Sequence, residues 1–258
     1  MNRFARFALP GLLGLLSILP TTVQAEPLKL AGSAWPPYVD PTREDKGVAM
    51  DLVRHVFRRA GYETESYIAS WPRTLEGASI GIVDVIVAAW KTPEREKTLH
   101  FTDPYFVNVL KFVKRRDAPI RFRSFDDLKG LMIATVAGYA YGEAFAGADG
   151  FVRVPTNHVA QSLMLLERRK VDLAIGDQWV IRNELTQFFP RSIRRFEFLP
   201  KPVDERTLHV AISRENPDHA RIVGDFNRAL KAMKADGSYD RLIEGYRKQF
   251  VDLIEAPL

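Results

Sequence analysis

Arg95 and Asp177 are the charged residues whose settings point most directly to chemistry. Arg95 stands in Thr92-Pro93-Glu94-Arg95, which reads as a helix start with Thr92 as cap and Pro93 at the first helical position. Glu94 and Glu96 suit the positive end of a helix dipole, whereas a cation in that turn opposes it. Local violations of this kind gather at functional sites. Its guanidinium fork and the free backbone N–H groups could hold an anion, most simply a carboxylate in bidentate geometry. The plainer alternative is a solvated arginine paired with Glu96 or Asp103. Asp177 follows the largely apolar Val171 to Gly176, where it either accepts hydrogen bonds from a ligand ammonium or caps the next helix.

Aromatic residues sit beside these charges at comparable places. Trp35 lies in Trp35-Pro36-Pro37-Tyr38 after a short apolar run, Trp71 follows Tyr67 to Ala69, and Trp90 follows Val83 to Ala89. Any one of them alone is as well explained as core. Three at strand ends favour an aromatic-lined pocket, because open α/β sheets bind ligands beyond the carboxyl ends of their strands. Gly138 opens a turn with Tyr139, Ala140 and Tyr141, whose amides could reach a ligand carboxylate. Arg73 and Ala88 complete the candidate ligand-binding set of Trp35, Trp71, Trp90, Arg95, Gly138, Tyr139, Ala140 and Asp177.

The elements that must position these residues can be read from periodicity. Leu52, Val53, Val56, Phe57 and Ala60 make one helical face closed by Gly61, and a second helix spans about Val159 to Arg169. A third carries Ile222, Phe226, Ala229, Leu230 and Met233, with Asn216 as expected cap, Pro217 at its first position and Gly237 past its end. Between them lie the apolar runs Leu28 to Ala31, Val83 to Ala89, Leu131 to Val136, Val171 to Ile175 and His209 to Ile212. Such runs alternating with helices predict the α/β class, with parallel sheets covered on both faces. Ser124-Phe125-Asp126-Asp127 forms a capping box for a short helix ending near Gly130. No linker separates two domains, so a two-lobed chain must cross on strands near Val107 to Lys114 and Thr207 to Ser213.

Composition narrows the function. The 258 residues contain no cysteine, which excludes disulfide frameworks, thiolate metal sites and cysteine nucleophiles. The histidines at 55, 100, 158, 209 and 219 show no paired ligand spacing, and no phosphate-binding, dinucleotide-binding or serine-nucleophile motif occurs. Arg3 and Arg6 before the apolar Phe7 to Leu19, then Val23-Gln24-Ala25, match a secretory signal cleaved after Ala25, and the run is shorter than the about 20 residues of a spanning helix. Its loss lowers the net charge of +5 by two. The cluster Lys114, Arg115, Arg116, Arg121 and Arg123 then reads as a solvated face, and no nucleic-acid partner is expected.

Read in order, the motifs resemble the amino-acid class of extracellular, periplasmic solute-binding proteins, family 3, that serve ABC importers. The carrying stretches are Leu28 to Tyr38, Gly47-Val48-Ala49-Met50-Asp51-Leu52, Asp84 to Val87 with Thr92-Pro93-Glu94-Arg95 and Phe101 to Tyr105, Phe125 to Gly130, and Lys234 to Asp240. The resemblance implies a type II periplasmic binding fold: two α/β lobes, each a mostly parallel sheet flanked by helices, joined by two crossing strands. It places residues 1–25 in the signal peptide, 26–112 and 210–258 in the first lobe, and 113–209 in the second. It assigns Arg95 to the ligand α-carboxylate, Asp177 to its α-amino group and Trp35 to an aromatic contact. Two positions depart from the pattern. Trp90 stands where the family usually has a small hydroxyl residue, and Tyr139-Ala140-Tyr141 stands where Ser or Thr follows the turn glycine. Both changes remove hydrogen-bonding groups and add bulk, leaving open a standard amino acid or a smaller, flatter or differently oriented ligand. The implied protein is a monomer without cofactor, metal or catalytic residue, presenting its ligand to a membrane permease or a sensor receptor. The alternative in another class is an exported dehydratase on the same scaffold, which needs a further acid or base in the cleft.

Overall fold

Short apolar runs become strands here and amphipathic segments become the helices that cover them. The computed structural model describes residues 26–249; the expected signal, residues 1–25, lies outside the described residues. The first half runs β1 (Leu28–Ser33), α1 (Val48–Arg59), β2 (Thr64–Ala69), α2 (Trp71–Ser79), β3 (Val85–Trp90), α3 (Pro93–Glu96), β4 (Leu99–Phe101) and β5 (Phe106–Arg115). There follow β6 (Met132–Val136), α4 (Glu143–Ala146), β7 (Val152–Thr156), α5 (Val159–Glu167), β8 (Leu173–Asp177) and α6 (Gln178–Phe188). The chain closes with β9 (Phe196–Phe198), β10 (Asp204–Ser213), α7 (His219–Ala235) and α8 (Ser238–Gln249).

Two parallel triplets form the frame. In one, β1 pairs with β2 and β3, and in the other β6 pairs with β7 and β8. The ten-residue strands β5 and β10 link them. They pair antiparallel with each other from Asp204↔Leu110 to Leu208↔Phe106. Beyond that stretch β10 joins β3 and β4, whereas β5 joins β8 and β9. The strand order is therefore β2-β1-β3-β10-β5-β8-β6-β7. Each triplet is covered by helices: α1 packs Phe57 against Phe226 of α7 at 5.1 Å between ring centroids, and α5 buries Leu163 and Leu166.

Two boundaries differ from the sequence expectation. Helix α7 starts at His219 and not at Pro217, because Asn216 is tied elsewhere. Its amide donates to Asp84 at 2.8 Å and its side-chain oxygen accepts from the Asp218 N–H at 2.9 Å, forming a turn in place of a cap. The Ser124 capping box is present, but it starts a single 3₁₀ turn, Phe125–Leu128, before Gly130 reverses the chain.

Candidate functional site

One wall of the site is aromatic, and backbone constraints set it. The loop after β1 closes on itself, with Trp35 N–H donating to Val39 O at 2.8 Å and Val39 N–H to Trp35 O at 3.1 Å. The first turn of α1 then clasps it, Val48 N–H donating to Pro37 O and Ala49 N–H to Tyr38 O. Only glycine fits at position 47, where φ is +91° and a Cβ would lie 2.7 Å from Tyr38 O. Trp90 ends β3, and its indole N–H donates to Asn108 Oδ1 of β5 at 2.8 Å, so this bulky ring is anchored in the core. Trp71 begins α2.

From the opposite side the turn after β6 sends in Tyr139. Its ring meets Trp90 edge-on at 5.6 Å and Trp35 and Trp71 at 6.4 Å each. Such pairs contribute about 0.5–1.5 kcal/mol each beyond area burial. Trp35, Trp71, Ala88, Trp90, Arg95 and Tyr139 line one cavity together with Ser33 and Leu208, about 300 Å³ with its open mouth. Ala140 and Gly138 face a neighbouring wider depression that also includes Tyr139, Lys91 and Arg206.

Arg95 lies where the capped turn predicts, its N–H donating to Thr92 Oγ1 at 3.2 Å. The guanidinium spans the gap, donating to Trp90 O at 2.6 Å and Gly138 O at 3.0 Å, and stacks 4.8 Å from the Trp71 ring. It has no carboxylate partner among the described residues, so neither Glu96 nor Asp103 pairs with it; Glu96 is bound to Lys91. Burial first, then the nearby Arg206 charge, pull its pKa down to about 10, which leaves it charged at neutral pH. Trp71 Nε1 also donates to Gly138 O, at 3.2 Å.

Asp177 lies outside the residues that line this cavity. It is only 2% exposed and caps α6: one carboxylate oxygen accepts from Trp179 N–H at 2.9 Å, Val180 N–H at 3.1 Å and Tyr38 O–H at 3.3 Å. Tyr38 and Trp179 stack in parallel at 6.1 Å beside it. Burial raises its pKa to about 6 despite the two backbone donors. Arg73 is exposed on α2 and likewise does not line the cavity.

Three contributors went unread in the sequence. Ser33 and Leu208 line the cavity and Asn108 holds Trp90; Glu184 of α6 is buried but lines neither depression. Leu208 and Asn108 carry no local signal, because strand pairing alone brings them to the site. Burial, followed by the charge of Asp40, raises Glu184 to about 7.

Residues 29–249 match the bacterial extracellular solute-binding proteins, family 3, and the chain belongs to that family. It is 25% identical to ABC transporter arginine-binding protein 1 of Escherichia coli K12, over 87% of this chain and 92% of that protein. Among solved structures it is similar to a mutant of ArgBP from T. maritima, 24% identical with a TM-score of 0.72, over 86% of this chain and 95% of the other. A histidine kinase sensor domain with similarity to periplasmic binding proteins gives a TM-score of 0.74 at 19% identity, over 85% and 95%. These likenesses establish the type II periplasmic binding fold.

Proposed function

We propose that this chain is the ligand-capturing, non-enzymatic component of an ABC-type importer, taking a small carboxylate-bearing, amino-acid-like solute into the cleft. The observation that carries this reading is Arg95: a largely buried guanidinium at an aromatic cavity, stacked on Trp71, hydrogen-bonded only to carbonyl oxygens and near a second cation, Arg206. A carboxylate brings full charge where the carbonyls bring dipoles, and charge-assisted bonds are about twice as strong. An entering carboxylate would take the Arg95 fork from Gly138 O while the three tryptophans enclose the apolar part of the solute. Family membership supports this reading, as does the arginine-binding relative of E. coli.

Closure supplies the signal in this reading. One lobe comprises residues 26–112 and 210–258, the other 113–209, and both boundaries fall inside the shared strands β5 and β10. Bending there opens or shuts the cleft, and ligand shifts the balance by touching both sides. The protein is exported after cleavage behind Ala25, works as a monomer in the periplasm and presents its closed form to a membrane permease. A sensor receptor is the other candidate partner, favoured by the likeness to a kinase sensor domain.

Calorimetry with a panel of amino acids and short carboxylic acids tests the proposal. Arg95→Ala should weaken any carboxylate hit by at least about 100-fold, the equivalent of roughly 3 kcal/mol; unchanged affinity would overturn it. The dehydratase alternative is favoured by one feature, the buried carboxyl of Glu184, whose pKa burial raises to about 7, into the range of a general acid. Turnover of a prephenate-like cyclic acid, abolished by Glu184→Gln, would favour that reading instead.

A further inference from the structure

The basic cluster at the end of β5 is more than a solvated face. Arg115, Arg116, Arg169, Arg194 and Arg195 line one depression, about 910 Å³ with its open mouth, together with Phe196. They come from three segments: the end of β5, the turn after α5, and the 3₁₀ turn Ile193–Arg195 before β9. Among the described residues two acids, Asp117 and Glu167, line it with them, so positive charge is in excess by three. The depression shares no lining residue with the tryptophan cavity or the wider one beside it. Strand β5 carries Arg115 about 20 Å along its length from Asn108, which anchors Trp90.

The fold places these cations deliberately. Arg115 Nη1 donates to Leu166 O at 3.1 Å and Val171 O at 2.9 Å, and its Nε lies 3.6 Å from Asp117 Oδ1. Arg116 donates through Nε to Arg194 O at 2.8 Å and through Nη2 to Phe196 O at 3.3 Å, which ties the next two arginines to β5. Arg169 pairs with Asp117 and adopts φ +57° just past the end of α5, a place where glycine is the usual residue. Arg194 and Arg195 are exposed, and their side chains have no hydrogen-bond, ionic or ring partner among the described residues.

We infer that this depression is a second binding site, separate from the solute cleft, and that it takes a phosphate-bearing anion. Guanidinium groups that share one depression repel one another, and a multivalent anion turns that repulsion into affinity. A monocarboxylate cancels one positive charge of the three in excess. A phosphate group cancels about two and offers several oxygens to the planar forks. The negative end of the α5 dipole accounts for Arg115, whose donors reach Leu166 O, but not for Arg194 and Arg195. Nor does it account for an arginine at φ +57°, where glycine would sit without strain. The same chemistry serves a free phosphate compound or the headgroup of an anionic phospholipid.

The test uses the full mature protein with two probes: inorganic pyrophosphate by calorimetry, and vesicles of phosphatidylglycerol or of phosphatidylcholine by co-sedimentation. Replacing the two unpartnered cations together, Arg194→Ser with Arg195→Ser, should weaken binding by about 10-fold or more. The charge-matched pair Arg121→Ser with Arg123→Ser, outside the depression, should leave it within about twofold. Arg169→Gly should also weaken binding while its melting temperature falls no lower than that of the wild type, because glycine suits that backbone. A residue that served folding alone would lose stability and leave the anion unaffected. Pyrophosphate binding with no preference for phosphatidylglycerol assigns the site to a free phosphate compound. Binding to phosphatidylglycerol that pyrophosphate displaces assigns it to a lipid headgroup. The inference is overturned if pyrophosphate neither binds nor displaces the protein from vesicles, or if both double variants weaken binding alike.

Discussion

The two sides of the cleft handle their charges in opposite ways. On the tryptophan side Arg95 crosses the gap and is satisfied by carbonyl oxygens from both walls. On the α6 side Asp177 is a buried carboxylate whose oxygen is taken up by the helix end and a tyrosine. Burial alone does not mark a ligand-binding charge, since Asp177 is almost wholly buried yet does not line the tryptophan cavity. What distinguishes Arg95 is that it borders the cavity and its hydrogen-bond partners are carbonyls, weaker acceptors than a carboxylate would be.

The Arg95→Ala substitution is the harshest way to break this contrast, with its expected loss of about 100-fold in carboxylate affinity. The next sharpens the difference between the acids. A carboxyl whose folded pKa is raised is unfavourable in the native state wherever it is ionised, so its release comes as pH falls through the raised value. Glu184 is pushed up to about 7 from an ordinary 4.5, and Asp177 to about 6 from 3.8. Stability should therefore rise as pH falls from 8 towards 5, by about 2–4 °C in Tm for each kcal/mol. Calorimetric melting should show that rise in the wild type and most of it gone in Glu184→Gln. Below that window the trend reverses, because Asp45, held at about 2 chiefly by Arg43, gives stability that is lost on protonation.

Smaller effects probe the framework on each side. Gly138 adopts φ +75°, and a Cβ there would come within 3.4 Å of the Trp71 ring. Gly138→Ala should cost about 1–3 kcal/mol, read as a Tm lower by several degrees. Asp177→Asn should change least. Asparagine caps a helix as well as aspartate does, so Tm should stay within about 2 °C and ligand affinity within about threefold. A 100-fold loss of affinity in this variant would give Asp177 a direct part in holding the ligand.

How far these features could be read from sequence follows from the range of the interactions that make them. Thr92 and Pro93 specify their own turn, and the structure shows the Thr92 side chain accepting from Arg95 N–H as the motif predicts. The apolar runs of β1, β3, β6 and β8 name themselves because both faces of those strands are covered. Helix α2 was legible in Ser70-Trp71-Pro72 and went unread, its periodicity being weak beside the aromatic signal of Trp71. Glu184 was not legible. Nothing within α6 sets it apart, and its raised pKa comes from burial and from the charge of Asp40, distant in sequence. The same holds for His100 and His219, whose Nδ1 atoms meet at 2.9 Å although no spacing in the sequence pairs them.

The carbonyl of Gly138 accepts both from Arg95 and from Trp71 across the gap. In a receptor that reports capture by closing, such a clasp sets the background. Two bonds of about 1 kcal/mol each, if formed only when shut, would shift an otherwise even balance roughly 30-fold towards closure with no solute aboard. The clasp thereby trades contrast between empty and loaded forms for a cleft already shaped when the solute arrives, and a permease reading this protein would need to sense more than closure alone.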